Sequence, residues 1–94
     1  MGKQLVRGMI EDDSYQYIPL GKYVASAPSV CRGRPTFKYT RIEVAGVLRR
    51  LGAGHTIEDL VAGYRGKISG PAIEEAVSLA ARALVKQAPV RVSP

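Results

Sequence analysis

The stretch from Cys31 to Val44, Cys-Arg-Gly-Arg-Pro-Thr-Phe-Lys-Tyr-Thr-Arg-Ile-Glu-Val, separates two kinds of sequence and limits what the chain can fold into. Gly33 and Pro35 bar a helix there, because glycine loses the most backbone entropy on ordering and proline has no N–H to donate. Upstream the chain is polar and extended; downstream, apolar residues recur at helical spacing. Arg32, Arg34, Lys38 and Arg41 put four cations on the dividing segment. Phe37 and Tyr39 alternate with Thr36 and Lys38, the period of a strand.

Residues 1–14 read as an N-terminal arm in which Leu5, Val6, Met9 and Ile10 make one turn of an amphipathic helix or cover a neighbouring surface. Glu11, Asp12 and Asp13 end it as a solvated turn, since adjacent carboxylates rarely converge on one metal ion. Tyr15 to Ile18 and Lys22 to Ser26 are rich in aromatic and β-branched residues and flank Pro19-Leu20-Gly21, which predicts a β-hairpin. Thr36 to Tyr39 would add a third strand. An exposed hairpin of this kind can pair with its copy on a second chain through unsatisfied edge groups.

Val44, Val47, Leu48 and Leu51 fall at i, i+3, i+4 and i+7 and predict a first helix stopped by Gly52 and Gly54. Thr56, with Asp59 three residues on, predicts a capped second helix carrying Ile57, Leu60, Val61 and Tyr64. After a basic turn at Arg65-Gly66-Lys67, Ser69 or Gly70 caps a third helix with Pro71 in its first turn. Its apolar arc, widened by Leu79 and Ala83, spans about 200°, beyond the ~100° of one packed face. The excess predicts a second contact, a homodimer. Residues 15–86 thus form one domain, and 87–94, with two prolines, read as a flexible tail.

Charge narrows the partner class. Nine of the fourteen basic residues, against four acids, precede Leu51, and the net charge is +6. A nucleic-acid backbone or an acidic protein surface suits such a chain. The residues expected to bind it are Arg32, Arg34, Lys38, Arg49, Arg50 and, on the Pro-flanked tail, Arg91. Gly33, Pro35, Thr40 and Arg41 read as structural, Arg41 through backbone carbonyls or a carboxylate such as Glu58 or Asp59. His55 is the sole histidine and sits beside a helix cap, and Cys31 is the sole cysteine. Such a set predicts no catalysis, no metal and no cofactor. A lone cysteine, no membrane-length apolar run and no signal-peptide pattern point to the cytoplasm.

Gly33, Pro35, Thr40, Arg41, Ile42, Gly54, Ile57, Glu58, Leu60 and Tyr64, within Tyr23 to Leu84, resemble in order and spacing the bacterial and archaeal family catalogued as domain of unknown function 433. That family usually has glycine where this chain has Tyr39, so Tyr39 is either strained or sits in a different turn. The resemblance implies a small, often dimeric, homeodomain-like helix-turn-helix protein, an antitoxin-like partner of a PIN-like nuclease. The expected fold class is therefore mainly α: a three-helix homeodomain-like or winged-helix-like helix-turn-helix, preceded by a small β-hairpin or three-stranded N-terminal region. One residue pattern speaks against DNA reading by the last helix, which opens with Gly70, Pro71, Glu74 and Glu75 rather than with base-reading side chains. The expected function is neutralisation of the nuclease, with binding to its own operator DNA as a further role. The alternative is a free-standing DNA-binding regulator or architectural module, held to DNA by phosphate clamps.

Overall fold

The computed structural model describes residues 4–89. Its strands are β1 (Val6–Ile10), β2 (Asp13–Pro19), β3 (Val24–Ser26) and β4 (Thr36–Phe37); its helices are α1 (Val44–Gly52), α2 (Ile57–Gly63) and α3 (Gly70–Gln87). The strands form one four-stranded antiparallel meander in the order β1-β2-β3-β4. This overturns the mainly α, homeodomain-like or winged-helix-like expectation: the sheet is a full partner of the three helices.

The difference begins at β1. Val6 to Ile10 fit one helical turn as well as a strand, and too short a run to nucleate a helix has little stability of its own. Pairing with β2 decides the matter, setting Val6 against Tyr17, Gly8 against Tyr15 and Ile10 against Asp13. Gly8 permits this packing. A Cβ there would lie 2.9 Å from the Tyr17 ring, 3.0 Å from that of Tyr39 and 3.3 Å from that of Tyr15. The connection is Glu11-Asp12, with Glu11 at a φ of 56°.

The expected β2–β3 hairpin forms, with Ile18 opposite Ser26 and Pro19 opposite Ala25. Its turn is tied to the last helix: the Glu75 carboxylate accepts the backbone N–H groups of Lys22 and Tyr23, each at 2.7 Å. Gly21 is required by this approach, since a Cβ would lie 2.6 Å from a Glu75 oxygen.

Two apolar clusters result. Val24, Phe37, Val44, Val47, Leu60, Ile68, Ala72, Ile73 and Ala76 form the larger one, between the sheet and the helices. Ile10, Tyr15, Tyr17, Ala25, Ala27 and Val30 form the second, under the first hairpin. Each large side chain buried in them, such as Phe37 or Ile73, contributes about 1.5–3 kcal/mol. Thr36 is the exception. It is fully buried, and its hydroxyl has no hydrogen-bond partner.

The helix ends follow local rules. Thr56 and Asp59 form a reciprocal capping box on α2, and the Ser69 hydroxyl accepts the Ala72 N–H with Pro71 in the first turn of α3. From Ala80 onward α3 is exposed, with Leu84 and Val85 open to solvent. Beside it lies an apolar groove of about 420 Å³ lined by Leu20, Val44, Leu48, Leu79 and Ala83. No helix among the described residues is long and apolar enough to cross a membrane.

Candidate polyanion-binding face

The turn between β4 and α1 is built by Thr40. Its hydroxyl donates to the Phe37 carbonyl at 2.8 Å and accepts the Ile42 N–H at 3.0 Å. The Phe37 N–H donates to the Ile42 carbonyl at 3.0 Å, closing the loop. Lys38 is held from the other side, its N–H donating to the Tyr23 carbonyl at 2.8 Å. Tyr39 turns the chain with a φ of 66°. The strained alternative is therefore the one realised at the position where glycine is usual.

Three tyrosines support it. The Tyr39 N–H donates to the Tyr15 hydroxyl at 2.8 Å, and the Tyr39 hydroxyl lies 3.3 Å from that of Tyr17. The Tyr17 and Tyr39 rings meet edge to face at 6.0 Å, and Tyr15 stacks on Tyr17 at 5.3 Å. The hydrogen bond with Tyr39, then burial and the neighbouring phenols, push the Tyr17 hydroxyl up to about 12. Tyr39 nevertheless keeps 55% of its surface exposed.

This geometry gathers charge. Lys38 and Arg41 from the turn, and Lys67 from the loop before α3, line one open concavity of about 550 Å³ with Ile10, Glu11, Tyr39, Thr40 and Ile42. A smaller concavity of about 240 Å³ shares Lys38, Tyr39 and Lys67 and adds Lys22, Tyr23 and Ser69. Four cations thus border one continuous surface, and Glu11 is the one acid in either lining. The Lys38 ammonium lies 5.7 Å from the centre of the Tyr17 ring, a cation–π distance that fixes the side chain without neutralising it.

The expected binding cations are scattered by comparison. Lys38 lines the concavities; Arg32, Arg34, Arg49 and Arg50 do not. Arg34 donates to Glu43 at 2.6 Å, and that carboxylate pushes the guanidinium pKa further up. Arg32 is exposed on the short 3-10 turn Cys31–Gly33 at a φ of 56°. Arg49 and Arg50 are exposed at the end of α1, Arg50 over the Tyr64 ring at 5.8 Å. Arg91 lies outside the described residues. Lys22 and Lys67 are not among the expected binding cations: Lys67 is legible only as part of a basic turn and Lys22 as the start of a strand, and neither spacing places them beside Lys38.

The structural residues sit as follows. Gly33 has a φ of 83° and its carbonyl accepts the Ser26 hydroxyl at 2.6 Å. The Pro35 carbonyl accepts the Val44 N–H at 2.9 Å. Arg41 is a correction. Its carboxylate neighbour is Asp13 on β2, at 3.9 Å, not Glu58 or Asp59; Asp59 is engaged in the α2 capping box. Both Arg41 and Asp13 are exposed, so the pair contributes little and Arg41 is available to a ligand. The Cys31 thiol is half-buried and donates to the Arg41 carbonyl at 3.7 Å. Among the described residues no group of His, Cys, Asp and Glu side chains is placed to hold a metal ion.

The described residues thus form a small α+β domain with a cation-bordered face and an exposed tyrosine. Residues 24–78 match the model of the family described as Protein of unknown function (DUF433), and the chain belongs to that family. The matched segment contains Lys38, Tyr39, Arg41 and Lys67, whereas β1 and β2 precede it. No curated protein and no solved structure matches the chain.

Proposed function

We propose that the protein is an antitoxin-like binding module, a dimer that acts by association rather than catalysis and neutralises a PIN-like nuclease through its cationic face. The partner class comes from the family resemblance. The observation that supports it is the convergence of Lys38, Arg41 and Lys67, from two separate segments, on one concavity. A nuclease that holds metal with clustered carboxylates offers the complementary charge, and complementary potentials speed encounter and fix register. Co-expression with the candidate nuclease, followed by capture of the tagged chain after nucleic-acid digestion, tests the reading. Capture of the nuclease by wild type and its loss with Lys38→Glu/Lys67→Glu is the expected result; retention by the double variant overturns it.

The exposed Tyr39 ring amid the cations favours a second ligand, nucleic acid, because a base can stack on the ring while lysines meet phosphates. Operator binding would then use this face. Affinity for the chain's upstream DNA should fall steeply as salt rises and, with Lys67→Gln, show a salt slope shallower by about one. An unchanged slope would remove Lys67 from the DNA contact.

A further inference from the structure

β1 is the outer strand of the meander, and among the described residues no strand pairs with its far side. The opposite edge is covered: Thr36 of β4 bridges Glu43, and the Val44 N–H donates to the Pro35 carbonyl. The two-residue connection Glu11-Asp12 fixes which groups β1 leaves open. In such a hairpin the closing pair, Ile10 with Asp13, exchanges both of its hydrogen bonds, and bonded pairs then alternate along the ladder. Gly8 and Val6 therefore bond to β2, whereas the N–H and C=O groups of Arg7 and Met9 point away from the sheet.

An open edge of this kind is usually blunted by proline, a bulge or charged side chains. β1 has no proline and no bulge, and Arg7 is its one charge. Its residues are Val-Arg-Gly-Met-Ile in unbroken register with β2, and Leu5, Val6 and Met9 are 47%, 39% and 50% exposed.

We propose that β1 pairs antiparallel with β1 of a second copy of this chain, joining two sheets into one across a two-fold axis at Gly8. The strand's own sequence selects this occupant and this register. Centred on Gly8, the pairing sets Arg7 against the copy's Met9 and Val6 against the copy's Ile10, so every residue of the strand is used. Centred on Arg7, it opposes two like charges, which destabilises a cross-strand pair. Centred on Met9, it sets Arg7 against the copy's Glu11, an opposite-charge pair, but only by drawing the turn residues Glu11 and Asp12 into the ladder, with Val6 left opposite Asp12. At the chosen axis Gly8 carries no side chain, and the Arg7 methylenes lie along the copy's thioether. The inference gives the dimer of the proposed function a surface, and it stands whether the further partner is a nuclease or DNA. A strand-sized contact belongs to the small class of interfaces, so the dimer should dissociate on dilution.

The test uses the full chain, with mass measured by sedimentation equilibrium over a dilution series and amide exchange read residue by residue. The Arg7 and Met9 amides should exchange about tenfold more slowly in the dimer, while that of Gly8 changes little. Met9→Pro removes an N–H that β2 does not use, a placement proline tolerates on an edge, and should give a folded monomer with unchanged circular dichroism. The register makes a sign-specific demand: Met9→Glu, facing the copy's Arg7, should tighten association, and Met9→Lys should weaken it. A wild-type chain that stays monomeric at the highest attainable concentration overturns the proposal. So does a dimer indifferent to a folded Met9→Pro variant, or a shift in the same direction with glutamate and lysine. Nuclease capture is scored separately, so failure of one reading leaves the other legible.

Discussion

The Tyr15 hydroxyl accepts the backbone N–H of Tyr39 at 2.8 Å, and this bond joins β2 to a turn held at a φ of 66°. The left-handed conformation costs a non-glycine residue about 1–2 kcal/mol. Tyr39 is retained there by what its ring and amide meet. Tyr15→Phe keeps the stacked ring but strands a half-buried N–H. Denaturant unfolding should show a loss of about 1–3 kcal/mol.

The same backbone angle reverses a familiar ranking. Both Tyr39→Gly and Tyr39→Ala remove the ring and hydroxyl, but glycine alone relieves the left-handed strain. Tyr39→Gly should therefore melt above Tyr39→Ala, by the equivalent of about 1 kcal/mol. Equal melting temperatures would show that the turn relaxes when the ring is gone.

Tyr17 ties stability to alkaline pH. Its hydroxyl has an ordinary value of 10.0 and is raised in the folded chain to about 12. Between those values the folded state keeps a proton that the unfolded state releases. The contribution is thus fully present below pH 10 and is lost as pH rises towards 12. Ultraviolet titration should show the late ionisation of Tyr17, and Tyr39→Phe, which removes the hydroxyl partner, should bring that transition back towards 10.

Glu75 ties α3 to the hairpin by accepting two backbone N–H groups. Charge-assisted bonds of this type contribute about 1.5–3 kcal/mol each. Glu75→Gln retains the shape and one acceptor oxygen, so a loss of about 2 kcal/mol is expected, with Glu75→Ala costing more. Gly21→Ala should resemble Glu75→Ala, since the added methyl displaces the carboxylate. Chemical denaturation of the three variants checks the order.

Thr36 is a stabilisation target. Its buried hydroxyl lacks a partner, whereas its methyl is packed in the sheet. Thr36→Val removes the unmet polar group at nearly constant shape and should raise stability by about 1 kcal/mol. A fall in melting temperature would mean that the hydroxyl is satisfied in solution, for example by water.

What was legible in the sequence follows the range of the forces involved. The helices could be read because apolar spacing and caps such as Thr56 with Asp59 act within a turn or two. β1 could not, because Val6 to Ile10 satisfy two local patterns, and what chooses between them lies outside the run: pairing with β2 and the rings of Tyr15, Tyr17 and the more distant Tyr39 over Gly8. The same holds for charge. Lys38 and Arg41 were visible as part of a basic stretch, but Lys67 joins them only when the loop before α3 packs beside that turn. Glu75 misled most: on α3 alone it is a surface acid, and its work is done on backbone groups more than fifty residues upstream, at Lys22 and Tyr23.

That long reach sets an order of events. A chain emerging from its N-terminus presents the β2–β3 turn early, but the two amides at Lys22 and Tyr23 lack their acceptor until α3 has been made. The hairpin is therefore a waiting receptor for the end of its own domain, and truncations before residue 75 should remain dynamic and protease-sensitive at that turn however well the strands themselves pair.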